Sequence, residues 1–167
     1  MTTLSNVLGN GIGADSISLT ISTSNPLGFS GGANITGTGP EDGPSATVYA
    51  NADMSFGGSV TVDGEVIPEP QGARPGGMGI LSVQSGATVT AAGGFLVKQG
   101  FIDLGRSGSG TLDGNVNLIS GGPNSGVGAH FQVWDDFSKV DGNVTLGQIG
   151  GGAAACSCMV WIVWQGQ

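Results

Sequence analysis

The feature that most constrains this chain is the alternation of apolar with hydroxyl-bearing residues. It recurs along the sequence, while the helical interval never appears. Ser16-Ile17-Ser18-Leu19-Thr20-Ile21-Ser22 alternates without a break, and Ser59-Val60-Thr61-Val62 and Leu81-Ser82-Val83-Gln84 follow the same rule. A period of two puts every second side chain on one face of an extended backbone, so these segments read as half-buried strands. Glycine points the same way: 34 of the 167 residues are Gly, and Gly supplies the positive φ that tight connections between strands require. Hydrophobic residues make up 38% of the chain and recur in short clusters, unlike a disordered linker. The expected class is all-β, with length enough for one domain and its core.

Two segments break the alternation. Residues 25–44, and the run Pro68 to Gly79 with Pro68, Pro70, Gly72, Pro75, Gly76 and Gly77, read as long loops. They divide the chain into an N-terminal arm and β segment (1–67), a Pro/Gly loop (68–79) and a β-repeat region (80–167) that ends in an apolar strand. One continuous domain is expected to contain all three.

A short repeat runs through this pattern. Val62-Asp63-Gly64-Glu65-Val66, Leu112-Asp113-Gly114-Asn115-Val116 and Val140-Asp141-Gly142-Asn143-Val144 share the form apolar-Asp-Gly-polar-Val. Asp-Gly tolerates positive φ, so each copy is either a two-residue hairpin or a corner between successive strands of a coil.

The stretch Gly79-Ile80-Leu81-Ser82-Val83-Gln84-Ser85-Gly86-Ala87-Thr88-Val89-Thr90, followed by Ile102-Asp103-Leu104-Gly105-Arg106-Ser107-Gly108-Ser109-Gly110-Thr111-Leu112, resembles the repeats of autotransporter passenger and PEP-CTERM-associated proteins. The resemblance covers residues 78–120. It implies a Gly-rich parallel β-solenoid and a cell-surface or extracellular stalk. An antiparallel β-sandwich or jelly roll is the rival architecture, favoured locally by the Asp-Gly turns. The N-terminal residues carry no basic and apolar export signal, and Pro68-Glu69-Pro70 lies mid-chain without an apolar helix after it. Exported-style repeats without such a signal point to release by lysis in a phage particle, by analogy with Gly/Ser/Thr-rich tail fibres, spikes and capsid decoration proteins. The expectation is a non-enzymatic virion structural protein. The alternative is an adhesive module at the cell surface or outside the cell, with a glycan receptor.

Charge narrows the partners. Arg74, Lys98, Arg106 and Lys139 face 12 acidic residues, for a net charge of -8, so the rows of basic contacts that phosphate backbones need are missing and nucleic acid is not expected. No stretch approaches the ~20 apolar residues of a membrane helix, and no membrane partner is expected.

The inventory of chemistry is thin, and no catalytic residue, cofactor or metal is expected. His130 is the single histidine and reads as a packed or surface strand residue. Gly9-Asn10-Gly11-Ile12-Gly13 and Gly105-Arg106-Ser107-Gly108-Ser109-Gly110 read as turn glycines, since neither follows a strand and opens a helix. The adjacent acids Asp135-Asp136 and Glu41-Asp42 would point to opposite faces of a strand, which does not make a two-acid glycosidase site. Cys156 and Cys158 read as buried free thiols.

The strand Cys158-Met159-Val160-Trp161-Ile162-Val163-Trp164 is apolar on both faces. One face can close the core, which leaves the other to a neighbouring subunit. Met159, Trp161, Val163 and Trp164 are the candidate interface residues. The expected partners are further copies of the chain, as in a trimeric fibre, spike or knob, and other structural proteins of a larger assembly.

Overall fold

The computed structural model describes residues 2–4, 7–12, 17–21, 23, 25–38, 43–69, 72–120, 129–148 and 160–162. The protein is all-β, with no helix among these residues. Its strands follow in triplets along the chain. The first triplet is β1 (Thr2–Leu4), β2 (Val7–Ile12) and β3 (Ile17–Ile21); the second is β4 (Leu27–Phe29), β5 (Ala33–Thr38) and β6 (Gly43–Ala50). The third is β7 (Met54–Phe56), β8 (Val60–Glu69) and β9 (Gly72–Val83); the fourth is β10 (Ala87–Ala91), β11 (Phe95–Val97) and β12 (Phe101–Leu104). Then come β13 (Gly110–Asp113), β14 (Val116–Ser120) and β15 (His130–Val133), and finally β16 (Lys139–Asp141), β17 (Val144–Gln148) and β18 (Val160–Ile162).

Each strand pairs in parallel with the strand three places further on. This sorts them into a six-stranded sheet, β1-β4-β7-β10-β13-β16, and a 12-stranded sheet with two parallel arms. The arms are β2-β5-β8-β11-β14-β17 and β3-β6-β9-β12-β15-β18, joined by the antiparallel pair β8 and β9.

Register turns the alternation into columns. Ala33, Val60, Phe95, Val116 and Val144 are successive partners in one arm, and Ile35, Val62, Val97, Leu118 and Leu146 form the column beside them. Val48, Leu81, Ile102 and Phe131 line up in the other arm, and Leu27, Met54, Val89, Leu112 and Val140 in the six-stranded sheet. Side chains from all three sets of strands meet in one buried cluster. Parallel strands covered on both faces read as unbroken apolar runs; these are covered on the inner face alone, and so they alternate.

The corners explain much of the glycine. A Cβ on Gly32 would lie 2.2 Å from the carbonyl oxygen of Ser59, which accepts the Ala33 N–H at 3.0 Å. One triplet therefore stacks on the next by direct backbone contact, closer than any side chain permits. Two of the three Asp-Gly copies are corners of this kind, not hairpins. They stack in register, with Leu112 on Val140, Asp113 on Asp141 and Val116 on Val144. The copy at Val62 lies inside β8, where Gly64 begins the antiparallel pairing with β9.

Three expectations need correction. Residues 25–44 contain β4, β5 and the start of β6; their glycines hid strands of 3–8 residues whose buried positions include Phe29, Ala33 and Ile35. The Pro/Gly run is not a loop but the hairpin of β8 and β9, with Glu69 opposite Gly72, Pro68 opposite Ala73 and Val66 opposite Pro75. A hairpin arm beyond the parallel arms tolerates proline, because a missing N–H on its outer edge breaks no ladder. Gly9 and Gly11 lie in β2, paired with Ile35 and Gly37, and not in a turn.

Candidate assembly surface

The three outer faces differ in chemistry. Outward positions of the six-stranded sheet are Ser55, Thr88, Thr90, Thr111, Asp113, Lys139 and Asp141, short or charged. The arm that ends in β18 instead turns Tyr49, Ile80, Phe101 and His130 outward, with Trp134 following β15 on the same side. Phe101 and His130, partners in register, stack with ring centroids 4.7 Å apart and planes 4° apart. Burial pushes the His130 imidazole below its ordinary pKa, so the ring is neutral near pH 7 and serves as a flat, half-buried surface.

Beside this pair runs the column Tyr49, Ser82, Asp103, Gln132 and Trp161. Asp103 faces outward yet is 5% exposed, because neighbours from later in the chain cover it. Trp134 Nε1 donates to Asp103 Oδ1 at 3.2 Å, and the Arg106 guanidinium stands 3.7 Å from Oδ2 and 5.7 Å from the centre of the indole. A carboxylate, a cation and an aromatic ring thus close on one another, while Trp134 stays 44% exposed. Phe137, at the next corner, is 85% exposed; its N–H donates to Asp135 Oδ1 at 2.8 Å, which fixes the turn that displays the ring.

Carboxylates elsewhere are engaged in the scaffold. Asp113 and Asp141 are stacked partners; Thr90 Oγ1 donates to Asp113 Oδ2 at 3.1 Å, and Lys139 Nζ lies 2.9 Å from Asp141 Oδ2. The hydrogen bond to Asp141 raises the pKa of Lys139. Both acids are exposed, and a cation already serves one of them, so the pair lacks the shielded acid that glycoside cleavage requires. Asp135 is spent on the Phe137 turn, and Glu41-Asp42 lie outside the described residues. A shallow polar depression lined by Thr23, Asn25, Asn51, Asp53, Ser85 and Gly86 follows a corner. Its polar groups are engaged within the scaffold: Gln84 Nε2 donates to Asn51 Oδ1, Thr88 N–H to Asp53 Oδ1 and Asn25 N–H to Thr23 Oγ1. Among the described residues no cluster of three or more His, Cys, Asp or Glu could hold a metal ion, and no helix is long and apolar enough to cross a membrane.

Of the residues expected at an interface, the backbone of Trp161 is placed in β18, opposite Gln132. The side chains of Met159, Trp161, Val163 and Trp164, and Cys156 and Cys158, lie outside the described residues. Sequence reasoning missed Tyr49, Phe101 and Trp134 as a group, because they lie far apart in sequence and only the pairing of every third strand brings them to one side. No family model, curated protein or solved structure matches the chain.

Proposed function

We propose that the chain is a Gly-rich β-solenoid with a non-catalytic role as a structural protein of a phage virion, a decoration, fibre or spike component that works by protein-protein assembly. The solenoid reading rests on the parallel pairing of each strand with the third one after it and on the single core enclosed by the three sets of strands. One observation carries the assembly reading: the aromatic side chains Tyr49, Phe101 and Trp134 stand on the outer face of one arm, with Phe137 exposed at the corner that follows it, while the six-stranded sheet shows threonine, aspartate and lysine. Aromatic rings presented on a β surface, flanked by polar groups, have the composition of an interface core and its rim. Trp161 continues this column by register, which joins the surface to the apolar C-terminal strand.

The test is the solution mass of the purified chain by light scattering, beside a variant carrying Trp134→Ser, Trp161→Ser and Trp164→Ser. A stable trimer that dissociates in the variant, with its circular dichroism unchanged, is the expected result. A folded monomer in both overturns the reading. A second reading, an adhesive module of the cell surface, draws on the same rings, since aromatic faces beside Asp103, Gln132 and Arg106 suit sugar stacking as well as protein contact. Binding to a glycan array that Trp134→Ser abolishes, by a chain that stays monomeric, would favour it.

A further inference from the structure

The corner between β15 and β16 differs from those stacked before it. At the same place in earlier triplets the chain runs Asn51-Ala52-Asp53, Gln84-Ser85-Gly86 and Gly105-Arg106-Ser107-Gly108-Ser109, with no aromatic residue, whereas here it runs Trp134-Asp135-Asp136-Phe137-Ser138. Trp134 is used within the chain, by Asp103 and Arg106. Phe137 is not. Its ring is 85% exposed, stands outside the core cluster and makes no aromatic contact among the described residues.

The backbone that carries this ring is held in place. Asp135 accepts twice, from the Phe137 N–H through Oδ1 at 2.8 Å and from the Ser138 N–H through its carbonyl oxygen at 3.0 Å. Ser138 Oγ in turn accepts the Gly110 N–H at 3.0 Å, and a Cβ on Gly105 would come within 2.2 Å of that oxygen. The corner is thus seated directly on the one before it, so little backbone freedom is left to lose when something covers the ring. An aromatic side chain on a fixed turn that packs on nothing in its own chain has the form of an anchor for a partner's pocket.

Charge decides the kind of partner. Asp136 is exposed beside the ring, and among the described residues no lysine or arginine pairs with it or with Asp135. A surface that closes over Phe137 takes water from both carboxylates, and a carboxylate buried without a cation is costly. The partner must therefore bring the cation. Of this chain's own cations, Lys98, Arg106 and Lys139 are already held by Asp63, Asp103 and Asp141, and the net charge of -8 works against a second copy at this place.

We infer that the corner between β15 and β16 docks on a basic segment of a different protein, with Phe137 in an apolar pocket and lysine or arginine side chains against Asp135 and Asp136. The inference rests on the assembly reading for its premise that this side of the chain meets protein, and it adds the chemistry of one partner.

The experiment selects a random peptide library on the immobilised whole chain and, separately, on Phe137→Ser and Asp136→Asn. Both side chains are exposed and the turn is held through the Phe137 backbone N–H, so the variants keep the fold by circular dichroism. Peptides that bind the wild type and not Phe137→Ser are expected to carry an apolar residue flanked by lysine or arginine. A synthesised member of that set should bind Phe137→Ser on the order of tenfold or more weakly than the wild type. Its affinity for the wild type should fall with added salt, and fall less steeply for Asp136→Asn. Selected sequences that are neutral or acidic, the same sequences from Phe137→Ser, or a library that yields nothing each overturn the inference. The assembly reading fails separately. A trimer lost with the three tryptophans, beside a failed selection, overturns basic docking at this corner and leaves the aromatic face in place; a monomer that selects basic peptides through Phe137 supports basic docking and removes assembly from copies of the chain.

Discussion

The indole N–H of Trp134 reaches the carboxylate of Asp103 from the following triplet, 3.2 Å away and across 31 positions of sequence. A carboxylate that faces outward from its strand is thereby 5% exposed, and its hydration is replaced by one N–H donor and a guanidinium.

Trp134→Phe keeps the ring and removes the donor. Losing a hydrogen bond to a buried charged group costs about 1.5–3 kcal/mol, and this variant should fall in that range by urea unfolding, with the slope m unchanged. Arg106→Gln should cost less than about 1 kcal/mol, because that ion pair is open to water on the arginine side, which is 65% exposed. Equal effects would mean that the ion pair holds Asp103 as firmly as the indole does.

The column Ile35, Val62, Val97, Leu118 and Leu146 supplies a second comparison within one chemistry. Leu118→Ala removes a 0% exposed side chain between two partners and should cost about 2–5 kcal/mol. Leu146→Ala, in the same column but 55% exposed, should cost less than about 1 kcal/mol at protein concentrations low enough to prevent association. A large loss at Leu146 in dilute solution would show that the chain itself covers that end.

Much of this architecture is written in local pattern, and the remainder depends on partners that pattern does not name. Ile17 to Ile21, Val60 to Val62 and Leu81 to Val83 were legible as strands because hydroxyl residues alternate with apolar ones, although the structure buries Ser82 along with Leu81 and Val83. Residues 25–44 were not, because a three-residue strand such as Leu27–Phe29 is too short to set a period and Gly28, Gly31 and Gly32 read as loop. Asp113 and Asp141 could be matched by their repeat but not assigned to corners, since Asp-Gly suits a hairpin equally well. Asp103 carried no signal of its own. In Ile102-Asp103-Leu104 it is the wet position of an ordinary strand, and only the register of β12 on β15 brings Trp134 over it.

Glycine at the corners separates crowding from backbone strain. A Cβ on Gly32 would meet the Ser59 carbonyl oxygen at 2.2 Å, whereas a Cβ on Gly86 would meet nothing within 4 Å, although its φ is +79°. Gly86→Ala should therefore show the conformational cost alone, on the order of 1 kcal/mol for a left-handed alanine. Gly32→Ala must push two triplets apart and should lower the unfolding midpoint by several times as much, or prevent folding. Comparable midpoints for the two would mean that the corner relaxes freely and that backbone contact does not fix the stacking distance.

Stability should also depend on pH through His130, and the sign follows from its burial. The folded state holds the imidazole against Phe101 with its pKa below the ordinary 6.5, while the unfolded chain titrates near that value. As pH falls through 6.5 toward the folded pKa, the unfolded state takes up a proton that the folded state declines, and stability decreases across that window. Above 6.5 the two states bind the same number of protons at this site and the contribution is constant. Carboxylates ordinarily titrate lower, so a comparison of urea midpoints at about pH 7.5 and about pH 5.5 isolates the imidazole. His130→Phe keeps a flat ring beside Phe101 and has nothing to protonate. The wild-type midpoint should drop between the two pH values and that of His130→Phe should drop measurably less. Identical drops would mean that the imidazole is as easily protonated in the folded chain as in the unfolded one, and that the stack with Phe101 is open to water.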